Sequence, residues 1–172
     1  GAAIILLGVD EFDGLITRKG LDQEELDRQI EILFTQCSRH VSAVEPSSLT
    51  SLKSGRILIF VCGKTAHDVG ALRKLTAALQ GLGRTAGGLS VSAGISAFAG
   101  VASKMDRGYQ EALVGLKVAR KLHGPGSLLH FAEVGTYRIL LDIWERDPDE
   151  VRDLYEATIG PVDRYDVANG TQ

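Results

Sequence analysis

The sequence predicts an α/β (α+β) domain built on a ferredoxin-like antiparallel sheet, with a C-terminal helical extension. Three observations predict it. Ile4 to Val9 is an unbroken apolar run, as expected of a strand covered on both faces. Lys53-Ser54-Gly55-Arg56 separates two short strand patterns, and Gly55 supplies the turn chemistry of a hairpin. Segments with apolar residues at helical spacing alternate with the strands, so the first six elements run β-α-β-β-α-β.

Each element has its own local justification. After the first strand, Gly14 to Gly20 reads as a loop. Asp22 and Glu25 form a capping box that opens a helix. Leu26, Ile30, Leu33, Phe34, Cys37 and Val41 give that helix one apolar face. Strand candidates follow at 42–44, 49–52 and 57–62. Thr65 is placed to cap a second helix, with Val69, Leu72, Leu75 and Leu79 inward. Gly81, Gly83, Gly87 and Gly88 are read as ending it. Val91, Ala93 and Ile95 alternate with Ser90, Ser92 and Gly94, a period of two that marks a strand.

A long helix is predicted over 103–122, with Met105, Tyr109, Ala112, Leu113, Leu116 and Ala119 on one face. Gly124-Pro125-Gly126 breaks it before a short strand at 128–131. Helical patterns then cover 134–144 and 150–159, the second opened by Asp147-Pro148-Asp149-Glu150. The organisation is thus a domain over 1–133 and a helical extension over 134–172.

Composition narrows the function classes. Hydrophobic residues make up 44% of the 172 and charged residues 24%, the balance of a soluble globular protein. The formal net charge of -3 supplies no global field for nucleic acid. The densest basic run, Lys117, Arg120 and Lys121, sits on a predicted helix. No stretch is long and apolar enough to span a membrane, and the opening apolar run lacks the basic flank of a signal peptide. Two cysteines in apolar patterns fit a reducing cytoplasm rather than a disulfide framework.

Candidate chemistry is sparse. Gly63-Lys64-Thr65 follows a strand and opens a helix, as the end of a phosphate-binding loop does. Such a loop needs a glycine where Leu58 stands in an apolar strand, so the segment reads as a capped turn. Asp10, Glu11 and Asp13 cluster after the first strand, where paired carboxylates can hold Mg²⁺. No second carboxylate source stands at the hairpin, and the cluster reads as a solvated strand end. His40, His67, His123 and His130 lack metal-ligand spacing and read as surface or helix-end residues. Cys37 and Cys62 read as small core hydrophobes. No nucleophile elbow or Cys–base pair is present. Arg56 at the hairpin is either an anion contact or a solvated turn residue, the second being the plainer reading. Trp144, at helical spacing, reads as core. No metal or cofactor is expected.

Three segments carry a family resemblance. Leu89 to Ser96 resembles the fourth strand of GGDEF-type nucleotide cyclase folds, and Tyr109-Gln110-Glu111-Ala112-Leu113 with Ala119-Arg120 resembles the helix after it. Phe131-Ala132-Glu133-Val134-Gly135-Thr136-Tyr137-Arg138-Ile139-Leu140-Leu141 is similar to the GGDEF-like middle domain of PucR-type (CdaR-like) transcriptional regulators. In such proteins Gly160-Pro161 and Asp163-Arg164-Tyr165-Asp166 would lead into a C-terminal helix-turn-helix domain. The match is specific over 89–166; earlier it rests on topology and on Gly8-Val9-Asp10-Glu11-Phe12.

The resemblance implies a regulatory domain between a sensory region and a DNA-binding domain, with DNA contacted only through the latter. It also shows where this chain departs from an active cyclase. The family's Asp-x-Asp-x-Phe pattern puts its first Asp at Gly8, leaving Asp10 and Phe12. The acidic pair of the GGDEF hairpin falls on Gly55 and Arg56. Two-metal phosphoryl chemistry needs carboxylates at both places, so the chain is expected not to be an enzyme. Two mechanisms are open. One is relay or homodimerisation through Leu140, Leu141, Trp144, Leu154 and Tyr155, residues that can equally pack on the sheet. The other is sensing of an unnamed small molecule between the strand end (Asp10, Phe12) and the hairpin (Ser54, Arg56).

Overall fold

In a computed structural model, residues 1–10, 23–97, 104–135 and 137 are described. The chain divides into two compact units, Gly1–Val134 and Gly135–Gln172. The first unit holds the sheet and the helices packed on it.

The apolar run forms β1 (Ala3–Val9), buried throughout. It lies at the centre of a five-stranded sheet, between β3 (Arg56–Val61) and β4 (Val91–Ile95), antiparallel to both. β2 (Leu49–Lys53) forms one edge, paired antiparallel with β3 through the hairpin. β5 (Leu128–His130) forms the other edge, parallel to β4. The sheet order is β2-β3-β1-β4-β5. The sheet is therefore mixed, four antiparallel strands plus one parallel edge strand. A parallel neighbour needs a crossover, and α3 (Met105–His123) supplies it.

Period-two geometry explains the unbroken apolar run. Ala3, Ile5, Leu7 and Val9 face a core shared with α1 (Gln23–Val44) and α2 (Val69–Thr85). Ile4 and Leu6 face the opposite core, with Ala112 and Leu116 of α3. Helices on both faces leave no polar position between the two cores. On the α3 side, β4 carries a glycine where helix and strand meet. A Cβ at Gly94 would overlap the carbonyl oxygen of Ala112 and the amide of Leu116, both helix backbone atoms. Only glycine lets α3 seat this closely.

Several local expectations are corrected. Residues 42–44 are the last turn of α1, not a strand, since the apolar face of that helix runs on through Val41. Thr65 does not cap α2. It opens a short 3₁₀ turn, Thr65–His67, and donates its hydroxyl proton to Glu45. Asp68 is the cap, accepting the Ala71 amide at 3.0 Å. Gly81 and Gly83 lie inside α2, where Gly83 permits close approach to Leu89 and Val91. The strand expected from the period of two is β4, and both its faces are covered: Ser92 is fully buried, as is Ser96 just beyond it, whose Oγ accepts the Ile4 amide at 2.8 Å. The Asp22 part of the first capping box lies outside the described residues, as do the helices over 138–159.

Candidate functional site: the corner where β1 ends

At the C-terminal end of β1 the sheet presents one cross-strand row on its α3 face. Gly8 pairs with Arg56 on β3 and Ser92 on β4, and Arg56 pairs with Lys53 on β2. The hairpin between Lys53 and Arg56 turns on Ser54 (φ 51°) and Gly55 (φ 69°). Two positive φ angles in succession are what a type I′ turn requires, and they match the twist of the flanking strands. Gly55 takes that conformation freely, whereas Ser54 is held in it.

The row is closed from above by Arg120, in the last turn of α3. Its guanidinium lies over Gly8, so closely that a Cβ there would stand 2.6 Å from Nη2. The space that a side chain at residue 8 would occupy is thus filled by a cation from another element. Arg120 Nε donates to Asp10 Oδ1 at 2.7 Å, and Nη2 donates to the Val9 carbonyl at 2.9 Å.

Asp10 is not the solvated strand end expected from its neighbours. It is 4% exposed. Its Oδ2 accepts the Ser90 hydroxyl at 2.8 Å and the Gly126 amide at 2.7 Å, and its own amide donates to the Ser90 carbonyl at 2.9 Å. The carboxylate ties the ends of β1, β4 and α3 to the loop before β5. A buried charge is tolerable only when paired and hydrogen-bonded in this way.

Beside this knot lies a cleft of about 360 Å³, lined by Gly8, Val9, Gln23, Asp27, Ser54, Gly55, Arg56 and Arg120. Ser54 and Arg56 thus meet at one cleft, which Asp10 serves by fixing Arg120 rather than by lining it. Arg56 is half-buried, and its guanidinium has no ion pair or hydrogen bond among the described residues. Phe12 lies outside the described residues, as do Leu140, Leu141, Trp144, Leu154 and Tyr155. Sequence reasoning missed Arg120 as a site residue. Its signal is spacing: it stands four residues after Leu116 and eight after Ala112, on the apolar face of α3. An arginine on an inward face demands a buried partner.

The opposite end of the sheet carries a second polar cluster. His130 is buried rather than at the surface, and its Nδ1 accepts the Ala132 amide at 3.2 Å. Burial lowers its pKa; Glu133 and Glu111 pull it up, and Arg73 pushes it down. Glu133 accepts the His130 amide and pairs with Arg73. Glu111, also buried, accepts the Ala97 amide at 3.1 Å and Arg107 Nε at 2.9 Å. Cys37 packs in the core, and burial pushes its thiol up to about 12. Among the described residues, no group of three His, Cys, Asp or Glu side chains is placed to hold a metal. No helix among them is long and apolar enough to cross a membrane.

No protein-family model matches the chain, and no curated protein sequence does. Solved structures do. The active GGEEF domain of a diguanylate cyclase from Vibrio cholerae superposes with a TM-score of 0.53 at 12% identity, covering 75% of this chain and 81% of that one. A diguanylate cyclase/phosphodiesterase from Caldicellulosiruptor saccharolyticus gives 0.48 at 13%, covering 75% of each chain. At such identities the likeness to the first is one of fold: this chain has the fold of a GGDEF-type nucleotide cyclase domain.

Proposed function

We propose that the chain is a non-catalytic regulatory domain on a cyclase fold. Within a bacterial transcriptional regulator of the PucR type, it would relay signal between a sensory region and a DNA-binding domain. The observation that carries the first part is the guanidinium of Arg120 over Gly8. Phosphoryl transfer by two metals needs carboxylates to hold the cations against the phosphates. At this corner Asp10 is bound to Arg120, Ser90 and Gly126, and the hairpin offers Gly55 and Arg56. The regulator context rests on the resemblance over 89–166. The extension over 134–159, with Leu140, Leu141, Trp144, Leu154 and Tyr155, is the proposed relay or dimer surface.

The test is turnover. Incubated with GTP and Mg²⁺ or Mn²⁺, the chain should release neither pyrophosphate nor a cyclic or dimeric guanylate. Turnover that scales with enzyme and is lost on Arg120→Ala would refute the reading. The cleft favours a second reading, in which the domain senses a small molecule directly. It is concave, and two arginines converge there on one glycine.

A further inference from the structure

We propose that the cleft at the end of β1 is a metal-independent site for a small dianion, a phosphate or dicarboxylate held between Arg56 and Arg120 across Gly8. The inference rests on the non-catalytic reading above and names the ligand chemistry of the same corner.

Two cations line the cleft among the described residues, and a third stands beside one of them on the sheet. Lys53 and Arg56 are cross-strand partners on the α3 face, and Arg120 reaches the same row from above. Like charges directly opposite one another on a sheet are unfavourable, and among the described residues neither Lys53 nor Arg56 has an anionic partner. Asp10 engages Nε and the Val9 carbonyl engages Nη2 of Arg120, which leaves Nη1 without a hydrogen bond among the described residues. A guanidinium presents five donors in a rigid fork suited to carboxylate and phosphate oxygens. Arg120 is therefore pre-oriented, locked by one edge and open at another, which lowers the ordering cost of binding.

The remaining geometry agrees. Gly8 has no side chain to fill the space between Arg56 and Arg120. Ser54 adds a hydroxyl from the hairpin. Among the described residues the one carboxylate lining the cleft is Asp27, which already accepts a hydrogen bond from Gln23 at 3.0 Å. A volume of about 360 Å³ lies at the small end of the ~300–1,000 Å³ range of ligand pockets.

The experiment is calorimetric titration of the 172-residue chain, in EDTA, with pyrophosphate and separately with succinate. Saturable one-to-one binding of either probe is expected, and the probe that binds tells phosphate from dicarboxylate. Arg56→Ala should weaken it at least tenfold, and Arg56→Lys, which keeps the charge but not the fork, by less. Arg84→Ala, outside this cleft, should leave it unchanged. Absence of saturation with both probes would overturn the inference, as would binding that requires Mg²⁺ or that survives Arg56→Ala in a folded variant. The same samples assayed for GTP turnover separate the two failures: turnover sinks the non-catalytic reading, whereas silence in both assays sinks only the anion site.

Discussion

Asp10→Ala tests whether the corner is a buried electrostatic knot or an ornamented strand end. The substitution removes the acceptor of three hydrogen bonds, from Arg120 Nε, the Ser90 hydroxyl and the Gly126 amide. Breaking a fully buried ion pair by removing one partner costs about 3–5 kcal/mol. Here the Arg120 side chain is 34% exposed, so water can recover part of its solvation. What remains is the loss of bonds to a charged acceptor, about 1.5–3 kcal/mol each before water recovers part of it, since Ser90 and Gly126 are themselves exposed. The net loss should be about 3 kcal/mol, or a fall in Tm of about 6–12 °C for a chain of this size. Urea unfolding followed by circular dichroism measures it directly. A double-mutant cycle with Arg120→Ala should return a coupling of about 1–3 kcal/mol, because the two residues share one network. A loss below about 1 kcal/mol with no coupling would show that the carboxylate is solvated after all. The pre-orientation of Arg120 would fall with it.

Three further outcomes are expected. Gly94→Ala drives a methyl into the backbone of α3 at Ala112 and Leu116, which cannot move aside as a side chain can. It should cost at least about 3 kcal/mol, the upper end of overpacking penalties, and a urea midpoint close to wild type would show that α3 is not seated there. Ser54→Asn puts a residue tolerant of the left-handed region at φ 51° and should stabilise the hairpin by about 0.5 kcal/mol. A lower Tm would contradict the turn assignment. His130 has a folded-state pKa lowered mainly by burial. As pH falls below the unfolded value of about 6.5, the unfolded chain takes up a proton that the folded one resists, so stability falls until the folded pKa is reached. Tm should therefore drop between neutral and mildly acidic pH. The drop should be smaller in His130→Asn, whose Oδ1 can replace Nδ1 as acceptor for the Ala132 amide; an equal drop would remove His130 as its source.

The legible and illegible parts of this sequence divide along a physical line. Period and turn chemistry are local, so β1, the hairpin and most of the apolar faces of α1, α2 and α3 can be read directly; Val69, expected inward, opens α2 and is exposed. Competition between neighbouring signals is less legible. Thr65 and Asp68 are both good caps, and only the 3₁₀ turn between them decides for Asp68. Gly81 and Gly83 look like breakers, but the packing of Gly83 against Leu89 and Val91 keeps the helix running. The site is half legible for the same reason. Ser54 and Arg56 belong to a hairpin and are near one another in sequence. The partner of Asp10 lies 110 residues away, and no local pattern around Asp10 announces a buried arginine.

That long-range pair bears on how a relay would work. α3 carries Arg120 near its C-terminus and Glu111 near its middle, on a rod seated against β4 at Gly94. The two side chains are about 13 Å apart along the helix axis. Arg120 opens on the cleft, while Glu111 holds the Ala97 amide and acts on His130, at the end of the sheet where Glu133 and Val134 close the first unit. An anion that draws on Arg120 must pull against Asp10 or carry α3 with it. The close seating at Gly94 makes rigid displacement easier than local bending. Energetic coupling requires that the two ends respond together. Saturating pyrophosphate or succinate, whichever binds, should therefore change amide hydrogen exchange at Ala97 and across 130–134 as well as at Gly126 and the hairpin. Protection confined to Gly126 and 53–56 would mean that the cleft binds its ligand without telling the rest of the molecule. The relay would then have to run through another surface.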